Sequence, residues 1–278
     1  MPAHEAIAPF LYSFSDSTKL KESLAGYIIQ AQTEALNKGK HKFSIAISGG
    51  SLPVQLSEIV KHRDVRDVQW DKWHIFFSDE RAVPLTHLDS NYGLVEKEFL
   101  SNIPEEDRKK ITVHTINESL LDETIEDHMG ELADEYESQL IQSFAPKDSA
   151  RFPVFDVILL GMGPDGHTAS LFPGHALLSE TTGWVVPIMD SPKPPAKRIT
   201  LTLPVINHAA RVVFVATGAG KQDTLKQVFD QPELSLPSSR VRPAYPGTVS
   251  WFVDDAASAK VEYPKTTFQL QASQLARV

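Results

Sequence analysis

Residues 154–175, "VFDVILLGMGPDGHTASLFPGH", decide how this chain folds. An apolar run ends in a glycine-rich loop, a junction typical of strands whose carboxyl ends meet a ligand. Gly161, Gly163 and Gly166 spell G-x-G-x-x-G, the pattern of dinucleotide-binding loops. Asp165 and His167 lie inside the same loop and indicate acid–base chemistry instead. The other segments of the chain separate these two interpretations.

Short apolar runs of the same kind recur along the chain, with helical patterns between some of them. Runs that are apolar throughout suit strands buried on both faces of a sheet. We therefore predict an α/β fold, Rossmann-like, with a mainly parallel twisted sheet and helices on both faces, in a single domain of residues 1–278. The predicted strands lie within residues 43–48, 73–81, 111–116, 154–161, 184–190, 198–204, 211–218 and 248–255, and the predicted helices within 16–38, 52–62, 91–100, 125–144 and 221–229.

The composition excludes several classes of function. A formal net charge of -9 disfavours nucleic acid or an anionic membrane as a partner. No apolar run reaches the roughly 18 residues of a membrane helix, and the first residues lack the features of a signal peptide. The 278 residues include no cysteine, which excludes disulfides, thiolate metal sites and cysteine nucleophiles. We expect a cytoplasmic monomer that binds neither nucleic acid nor membrane.

Polar and glycine residues gather where four of the apolar runs end. In an open parallel sheet, ligands bind beyond the carboxyl ends of the strands. One such segment alone would be an ordinary loop, but four of them predict a single shared cleft. The segments are residues 48–51, 78–81, 161–167 and 217–221.

The dinucleotide interpretation has one feature in its favour and two against it. Asp190 closes the next apolar run about where a ribose-binding carboxylate is expected. However, Pro173 and Gly174 interrupt the helical pattern after the loop within two turns. Pro164 and Asp165 also occupy the positions that a pyrophosphate would approach, and a carboxylate there repels phosphate. We therefore disfavour a dinucleotide and expect no cofactor.

Asp165 and His167 are the candidate catalytic pair. A histidine at a strand end suits a general base because its ordinary pKa of about 6.5 lies near neutral pH, and a neighbouring carboxylate can orient it. The alternative is that Asp165 caps a short helix starting at Gly166 or His167, with the imidazole packed or facing solvent. No G-x-S-x-G elbow is present, which favours direct attack by water. His167 and His175 do not have a zinc spacing, and we predict no metal.

Two glycine loops and two cations indicate a phosphate site. Consecutive glycines in "SGGSLP" let backbone N–H groups converge on an anion, although the lysine and spacing of a P-loop are missing. "TGAGK" repeats the arrangement where a predicted helix begins. A glycine turn without any ligand is the alternative for each loop. The residues assigned to the phosphate are Ser48, Gly49, Gly50, Ser51, Arg198 and Lys221.

The segment "SDERAVP" concentrates Asp79, Glu80 and Arg81 at a strand end. A salt-bridged turn is the simpler interpretation. In the functional one, Arg81 faces the cleft with its planar set of donors directed at a carbonyl or phosphate oxygen.

Together these motifs closely resemble those of the 6-phosphogluconolactonase family. The resemblance runs in order from about residue 10 to residue 255, and residues 264–278 carry no recognised motif. Its most specific part is the G-P-D-G-H-T-x-S-L-F-P segment. The other matching stretches are "SGGSL", "DERAVP", "SNYGL", "DSPKPPAKRITLTLPV" and "VFVATGAGK".

The resemblance implies a Rossmann-like domain that hydrolyses 6-phosphoglucono-1,5-lactone to 6-phosphogluconate without a cofactor. It also implies kinship with glucosamine-6-phosphate deaminases, in which a glutamate lies five residues beyond the histidine, just before a proline. Here that position is Phe172, before Pro173. The missing carboxylate favours lactone hydrolysis over deamination.

The mechanism we expect begins with His167 removing a proton from the water that attacks C1, while Asp165 orients His167. Arg81, or a backbone N–H beside it, would stabilise the oxyanion, although Arg81 could equally bind the phosphate. Asp79 and Gly166 would contact the phosphosugar lactone. Two alternatives stay open: another phosphosugar isomerase or deaminase, and a non-catalytic phosphosugar sensor.

Overall fold

The apolar runs form strands in two sheets. Across the described residues, 7–121, 125–144 and 152–270, this computed structural model contains ten strands. They are β1 (Phe10–Phe14), β2 (Phe43–Ile47), β3 (Trp73–Phe77), β4 (Asp79–Arg81), β5 (Thr112–Val113), β6 (Val157–Gly161), β7 (Val185–Ile188), β8 (Arg198–Leu201), β9 (Arg211–Ala216) and β10 (Thr248–Asp254).

The larger sheet has seven strands in the order β1-β10-β9-β6-β2-β3-β5, and every neighbouring pair in it is parallel. A smaller antiparallel sheet has the order β4-β8-β7. The predicted α/β architecture with a mainly parallel sheet is confirmed. The runs at 184–190 and 198–204 contain the predicted strands β7 and β8, but the sequence does not predict that these strands pair antiparallel in a separate sheet.

Helices connect the strands across the described part of the chain. Asp16 caps the first of them, since its carboxylate accepts the N–H of Thr18. None of the described helices is long and apolar enough to cross a membrane. The α-helices are α1 (Ser17–Asn37), α2 (Leu52–Leu56), α3 (Asn91–Glu98), α4 (Glu105–Arg108), α5 (Ile125–Phe144), α6 (Leu203–Ile206) and α7 (Gln222–Asp230). Short 3-10 helices lie at Ser57–Lys61, Val65–Asp67, Trp70–Lys72, Leu100–Asn102, Glu118–Leu120, Ala176–Ser179, Ala219–Lys221, Pro232–Leu234 and Pro237–Arg240.

Both faces of the larger sheet are buried. Successive side chains of a strand point to opposite faces, so Ile45 and Ile47 of β2 pack with α1, α2 and α3, while Ala46 packs with α5 and α7. The small antiparallel sheet contributes Ile199 to the second of these cores. This two-sided burial explains why the strands read as continuous apolar runs.

The chain order reverses across the sheet between β2 and β6. From β2 the chain proceeds to β3 and β5 on one side, and from β6 it proceeds to β9 and β10 on the other. Such a switch point leaves a crevice at the carboxyl ends of the two central strands. Ser48 and Met162 follow those ends directly, so the fold places the predicted phosphate loop beside the loop of Asp165 and His167.

Two local predictions are wrong. The run of residues 73–81 is not one strand: it breaks at Ser78, and β4 pairs antiparallel with β8 in the other sheet. The short helix expected after Asp165 does not form. Ala169 has a positive φ of 48°, and an isolated bridge between Thr168 and Leu171 closes a turn instead. Asp165 therefore does not cap a helix.

The segment after β10 packs on the far edge of the sheet as far as it is described. The N–H of Thr266 donates at 2.7 Å to the carbonyl of Leu11, which belongs to the edge strand β1. The Phe268 ring lies 5.1 Å from Tyr12 and 5.2 Å from Phe252, centroid to centroid. Residues 264–270 therefore cover part of an otherwise open sheet edge. The single-domain organisation of residues 1–278 stays a prediction.

Candidate active site

A cavity of about 370 Å³ opens at the carboxyl ends of the central strands. All four polar segments that the sequence predicts to share a cleft contribute to it. Four of its lining side chains are basic and one is a carboxylate, in a chain whose net charge is -9. The lining includes Ser48, Gly49, Gly50, Ser51, Asp79, Arg81, Gly163, His167, Lys193, Arg198 and Lys221. This concentration of positive charge suits a small anionic ligand.

Asp165 and His167 form a hydrogen-bonded pair at this cavity. Nδ1 of His167 lies 2.5 Å from Oδ1 of Asp165. A Cβ atom at Gly163 would lie 1.9 Å from Nδ1 of His167 and 2.6 Å from the Asp165 oxygen. The second glycine of the G-x-G-x-x-G pattern therefore makes room for a carboxylate–imidazole pair, and not for a pyrophosphate.

The environment of His167 keeps its imidazole neutral near neutral pH. Burial lowers the pKa of His167 below its ordinary value, the Asp165 carboxylate opposes this shift, and the Lys193 ammonium adds to it. The pKa of Asp165 is lowered in turn: burial raises it, but the hydrogen bond and charge of His167 and the charge of Lys193 outweigh burial. In the tautomer that donates its Nδ1 proton to Asp165, Nε2 is the basic nitrogen.

Phe172 packs against the imidazole. Its ring centroid lies 4.7 Å from that of His167 and 5.8 Å from the guanidinium carbon of Arg198. The side chain is 2% exposed. Phe172 is therefore an apolar wall behind the candidate base.

The loop of residues 48–51 forms one side of the cavity. Ser48 is 5% exposed, and its hydroxyl oxygen has no hydrogen-bond partner among the described residues. Its N–H donates to the carbonyl of Leu159 and belongs to the sheet, so the other amides of the loop are those of Gly49, Gly50 and Ser51. A Cβ atom at Gly49 would lie 2.0 Å from Oδ1 of Asn91. Only glycine lets the loop approach α3 this closely.

Arg81 and Arg198 are direct cross-strand partners in the small sheet. Arg81 donates through Nη1 to the carbonyl of Asp89 at 2.9 Å, and its buried Nε has no partner within the described chain. The pKa of Arg198 is lowered, first by burial and then by the charge of Arg81. Two like charges side by side favour an anion between or beside them.

Two neighbouring carboxylates support the floor of the cavity. Asp79 accepts the Ser170 hydroxyl at 2.7 Å and the Asn91 amide at 3.3 Å, and it lines the cavity as the sequence predicts. Glu80 points away and accepts the backbone N–H groups of Arg81, Asn91 and Tyr92. Burial raises the pKa of Glu80 to about 7 against these hydrogen bonds. Glu80 thereby ties the Arg81 strand to the start of α3.

Lys221 and Lys193 supply the two ammonium groups. Lys221 donates to the carbonyl of Met162 at 2.6 Å, and burial together with the charge of Lys193 lowers its pKa. Lys193 is not among the site residues that the sequence predicts. Its Nζ lies 3.1 Å from Nδ1 of His167. The Pro-rich stretch around it is polar and lies between two predicted strands, but no local signal shows that it folds back onto the cavity.

Gly166 and Asp165 do not appear in the cavity wall. Gly166 has a positive φ of 81°, and its carbonyl accepts the N–H of Ser238 at 3.0 Å and the Ser238 hydroxyl. Gly166 therefore allows the chain to reverse direction between Asp165 and His167. Within the described residues no group of three histidine, aspartate or glutamate side chains is arranged to hold a metal ion.

The fold and the cavity define a class of α/β protein suited to a small anion at the carboxyl edge of its sheet, with a carboxylate–imidazole pair beside it. A sequence model described as glucosamine-6-phosphate isomerases/6-phosphogluconolactonase matches residues 15–251. The chain belongs to this family.

Individual relatives agree with the family assignment. The chain is 47% identical over 252 residues to a probable 6-phosphogluconolactonase of Schizosaccharomyces pombe, covering 91% of this chain and 96% of the relative. It is 41% identical to a 6-phosphogluconolactonase of Rattus norvegicus, covering 93% and 96%. Among solved structures, 6-phosphogluconolactonase from Trypanosoma cruzi superposes with a TM-score of 0.76 at 27% identity, covering 93% of this chain and 99% of that one.

Proposed function

We propose that this chain hydrolyses 6-phosphoglucono-1,5-lactone to 6-phosphogluconate. The observation that carries the proposal is that His167, held by Asp165, lines a cavity together with four lysine and arginine side chains. An imidazole held by a carboxylate can activate water, and the cations suit a phosphorylated substrate. The names of the relatives with 41–47% identity support the same substrate.

In the proposed reaction, Nε2 of His167 takes a proton from water as the water oxygen forms a bond to C1 of the lactone. The carbonyl becomes an oxyanion. When the oxyanion collapses, the bond between C1 and the ring oxygen breaks, and His167 returns its proton to that oxygen. Asp165 holds the imidazole and stabilises its protonated form. A positioned general base contributes about 10²–10⁴-fold to such a step.

The substrate's phosphate group needs backbone amides, a hydroxyl and cations to bind it. We assign it to the amides of Gly49, Gly50 and Ser51, to the Ser48 hydroxyl and to Lys221. The buried hydroxyl oxygen of Ser48, which has no partner among the described residues, supports this assignment because it is available to a phosphate oxygen. Arg81, whose buried Nε also lacks a partner among the described residues, belongs to the same anion site. Asp79 faces the sugar hydroxyls.

The first test compares substrates on the wild-type protein. Freshly generated 6-phosphogluconolactone is added at mildly acidic pH, where spontaneous hydrolysis is slow, and 6-phosphogluconate is followed through its dehydrogenase. We expect acceleration with the phosphorylated lactone and a much higher KM for gluconolactone without phosphate. Release of ammonia from glucosamine 6-phosphate would instead indicate a deaminase, and saturable binding of 6-phosphogluconate without turnover would indicate a sensor.

A further inference from the structure

Lys193 stands against the Asp165–His167 pair. Its Nζ lies 3.1 Å from Nδ1 of His167 and 3.6 Å from Oδ1 of Asp165. The side chain is 39% exposed and lines the cavity. A lysine has a flexible stem and three rotatable donors, so this ammonium can turn from the pair towards a bound substrate.

Arg198, by contrast, is occupied by the loop that carries Lys193. Its Nε donates to the carbonyl of Pro195 at 2.9 Å, and Nη2 donates to the carbonyls of Lys193 at 2.7 Å and Pro194 at 3.3 Å. Nη1 donates to the hydroxyl of Ser170 at 3.3 Å. The residue is 2% exposed. Its planar set of donors is therefore directed mainly at the protein's own backbone.

Further contacts close the same loop. The Ser191 hydroxyl donates to the carbonyl of Lys193 at 2.9 Å, and the Ser191 N–H donates to the carbonyl of Ala196 at 3.2 Å. At the start of the loop, Asp190 lies 3.0 Å from Nε2 of His175. The carbonyl of Lys193 thus has two donors, Ser191 and Arg198, which fix the backbone and leave the ammonium to the cavity.

We propose that Lys193 is a catalytic residue whose ammonium stabilises the oxyanion formed at C1, and that Arg198 is a positioning residue that presents Lys193. A carbonyl carbon attacked by a water bound to His167 lies within a few ångströms of that imidazole. Its oxygen is therefore within reach of an ammonium that contacts the same ring. Arg81 and Lys221 are left for the phosphate. This inference rests on the proposed function.

The charge of Lys193 has a second, measurable effect. The charged groups that face His167 are Asp165 and Asp79, which raise its pKa, and Lys193, which lowers it together with burial. Removing the ammonium should therefore raise the pKa of His167. The acidic limb of the pH profile should move to higher pH, which checks that the ammonium faces His167 in solution, while the loss of kcat tests its catalytic role.

The test measures kcat, KM and pH profiles for wild type, Lys193→Met, Arg198→Lys and the double variant. Lys109→Met is the matched control, because Lys109 pairs with Glu105 on α4 and is 65% exposed. We expect Lys193→Met to lower kcat about 10²-fold, as for removal of one oxyanion donor, with little change in KM. Its acidic limb should lie at higher pH, and the control should match wild type.

Arg198→Lys should lower kcat about tenfold in the wild-type background and have little further effect beside Lys193→Met. Such non-additivity is the signature of one residue acting through another. Circular dichroism first checks that each variant folds. If Arg198→Lys does not fold, Ser191→Ala removes another donor to the Lys193 carbonyl and should lower kcat a few-fold, again only when Lys193 is present.

Two results overturn the inference. One is a Lys193→Met variant with wild-type kcat, whatever its pH profile. The other is an Arg198→Lys variant that raises KM for the phosphorylated lactone alone, equally in both backgrounds, which would make Arg198 a phosphate ligand. Both require a wild-type protein that turns over. Absence of turnover by wild type would contradict the proposed function itself.

Discussion

The two cavities at opposite ends of β2 and β6 differ in what their polar groups contact. The carboxyl-end cavity, which holds His167, has a volume of about 370 Å³, and the amino-end cavity beside Lys40 and Asp156 has about 570 Å³. In the carboxyl-end cavity, the Ser48 hydroxyl and the Arg81 Nε lack partners within the described residues.

In the amino-end cavity, Asp156 and Lys42 have hydrogen-bond partners within the protein. The buried Asp156 carboxylate accepts from Lys40 at 2.5 Å, from the Ser44 N–H at 2.9 Å and from the Ser44 hydroxyl at 2.8 Å. Lys42 donates to the carbonyl of Ser143 and lies over the Phe144 ring. The two cavities therefore differ less in kind of residue than in whether their buried polar groups are satisfied, and the unsatisfied groups at the carboxyl end suit a ligand.

The largest expected effect concerns the space that Gly163 leaves for the Asp165–His167 pair. Gly163→Ala places a Cβ within 2.6 Å of both side chains, so the imidazole must move. We expect kcat to fall about 10²–10³-fold because a displacement near 1 Å disrupts the base. Steady-state kinetics measure the loss.

Gly130→Ala is the control for that prediction. Gly130 is exposed on α5, and a Cβ there meets no atom within 4 Å. We expect unchanged kinetics and a free energy of unfolding higher by about 0.5–1 kcal/mol, since alanine is the better helix former. Wild-type kcat in Gly163→Ala would show that His167 does not depend on this geometry.

A second comparison uses two serines at opposite ends of β2. Ser48→Ala removes an unpartnered hydroxyl, and we expect KM for the phosphorylated lactone to rise up to about tenfold with stability unchanged. Ser44→Ala breaks the contact with Asp156 and should lower the free energy of unfolding by about 1–3 kcal/mol without altering KM. Urea unfolding and kinetics on both variants measure the two quantities. A raised KM in Ser44→Ala together with a lower stability in Ser48→Ala would place the phosphate site at the amino end instead.

The smallest expected effect is a pH dependence of stability at His114, which stacks on His74 and Phe76. Burial, followed by the charges of His74 and Lys42, lowers the pKa of His114 to about 4. The unfolded chain takes up this proton near its ordinary pKa of about 6.5, whereas the folded chain resists it. Stability is therefore complete above about pH 6.5 and falls as pH decreases towards 4.

We expect His114 to account for about 1–2 kcal/mol of that decrease, allowing for its partial exposure. Urea unfolding at pH 7 and pH 5 measures it, with His114→Asn as the variant that should show a smaller decrease. An equal decrease in the variant would assign the pH dependence to other groups. Near-neutral catalysis should not change, because His114 lies outside the carboxyl-end cavity.

The sequence predicts the sheet and the shared cleft well because both follow from local patterns. Apolar runs mark strands buried on two faces, and their polar ends meet wherever the strands are parallel. Asp165 and His167 are close in sequence, so their pairing could be proposed from the motif alone. The need for glycine at position 163 could not be predicted, since only the folded turn shows that a Cβ there would contact the imidazole.

The features that the sequence does not predict depend on contacts between segments that are distant in the chain. Lys193 meets His167 across 26 positions of the chain, and the Ser170 hydroxyl meets Asp79 across 91. The break at Ser78 that sends β4 into a second sheet is equally invisible, because residues 73–81 continue without a glycine or proline. The guanidinium of Arg198 is a group that commonly binds phosphate. Only the folded structure shows that it donates hydrogen bonds to the carbonyls of its own loop.

The central claim is that His167 is the base for water at the carboxyl-end cavity, and its pH–rate profile tests this most directly. Wild type, Asp165→Asn, His167→Ala and the control His208→Ala, an exposed histidine at the amino-end cavity, are compared on 6-phosphogluconolactone. We predict a wild-type acidic limb below about pH 6.5, at still lower pH in Asp165→Asn because a carboxylate that raises the pKa of His167 is gone. His167→Ala should lose about 10²–10⁴ in kcat and show no such limb, while His208→Ala resembles wild type. A His167→Ala variant with wild-type kcat and an unchanged limb would contradict the account.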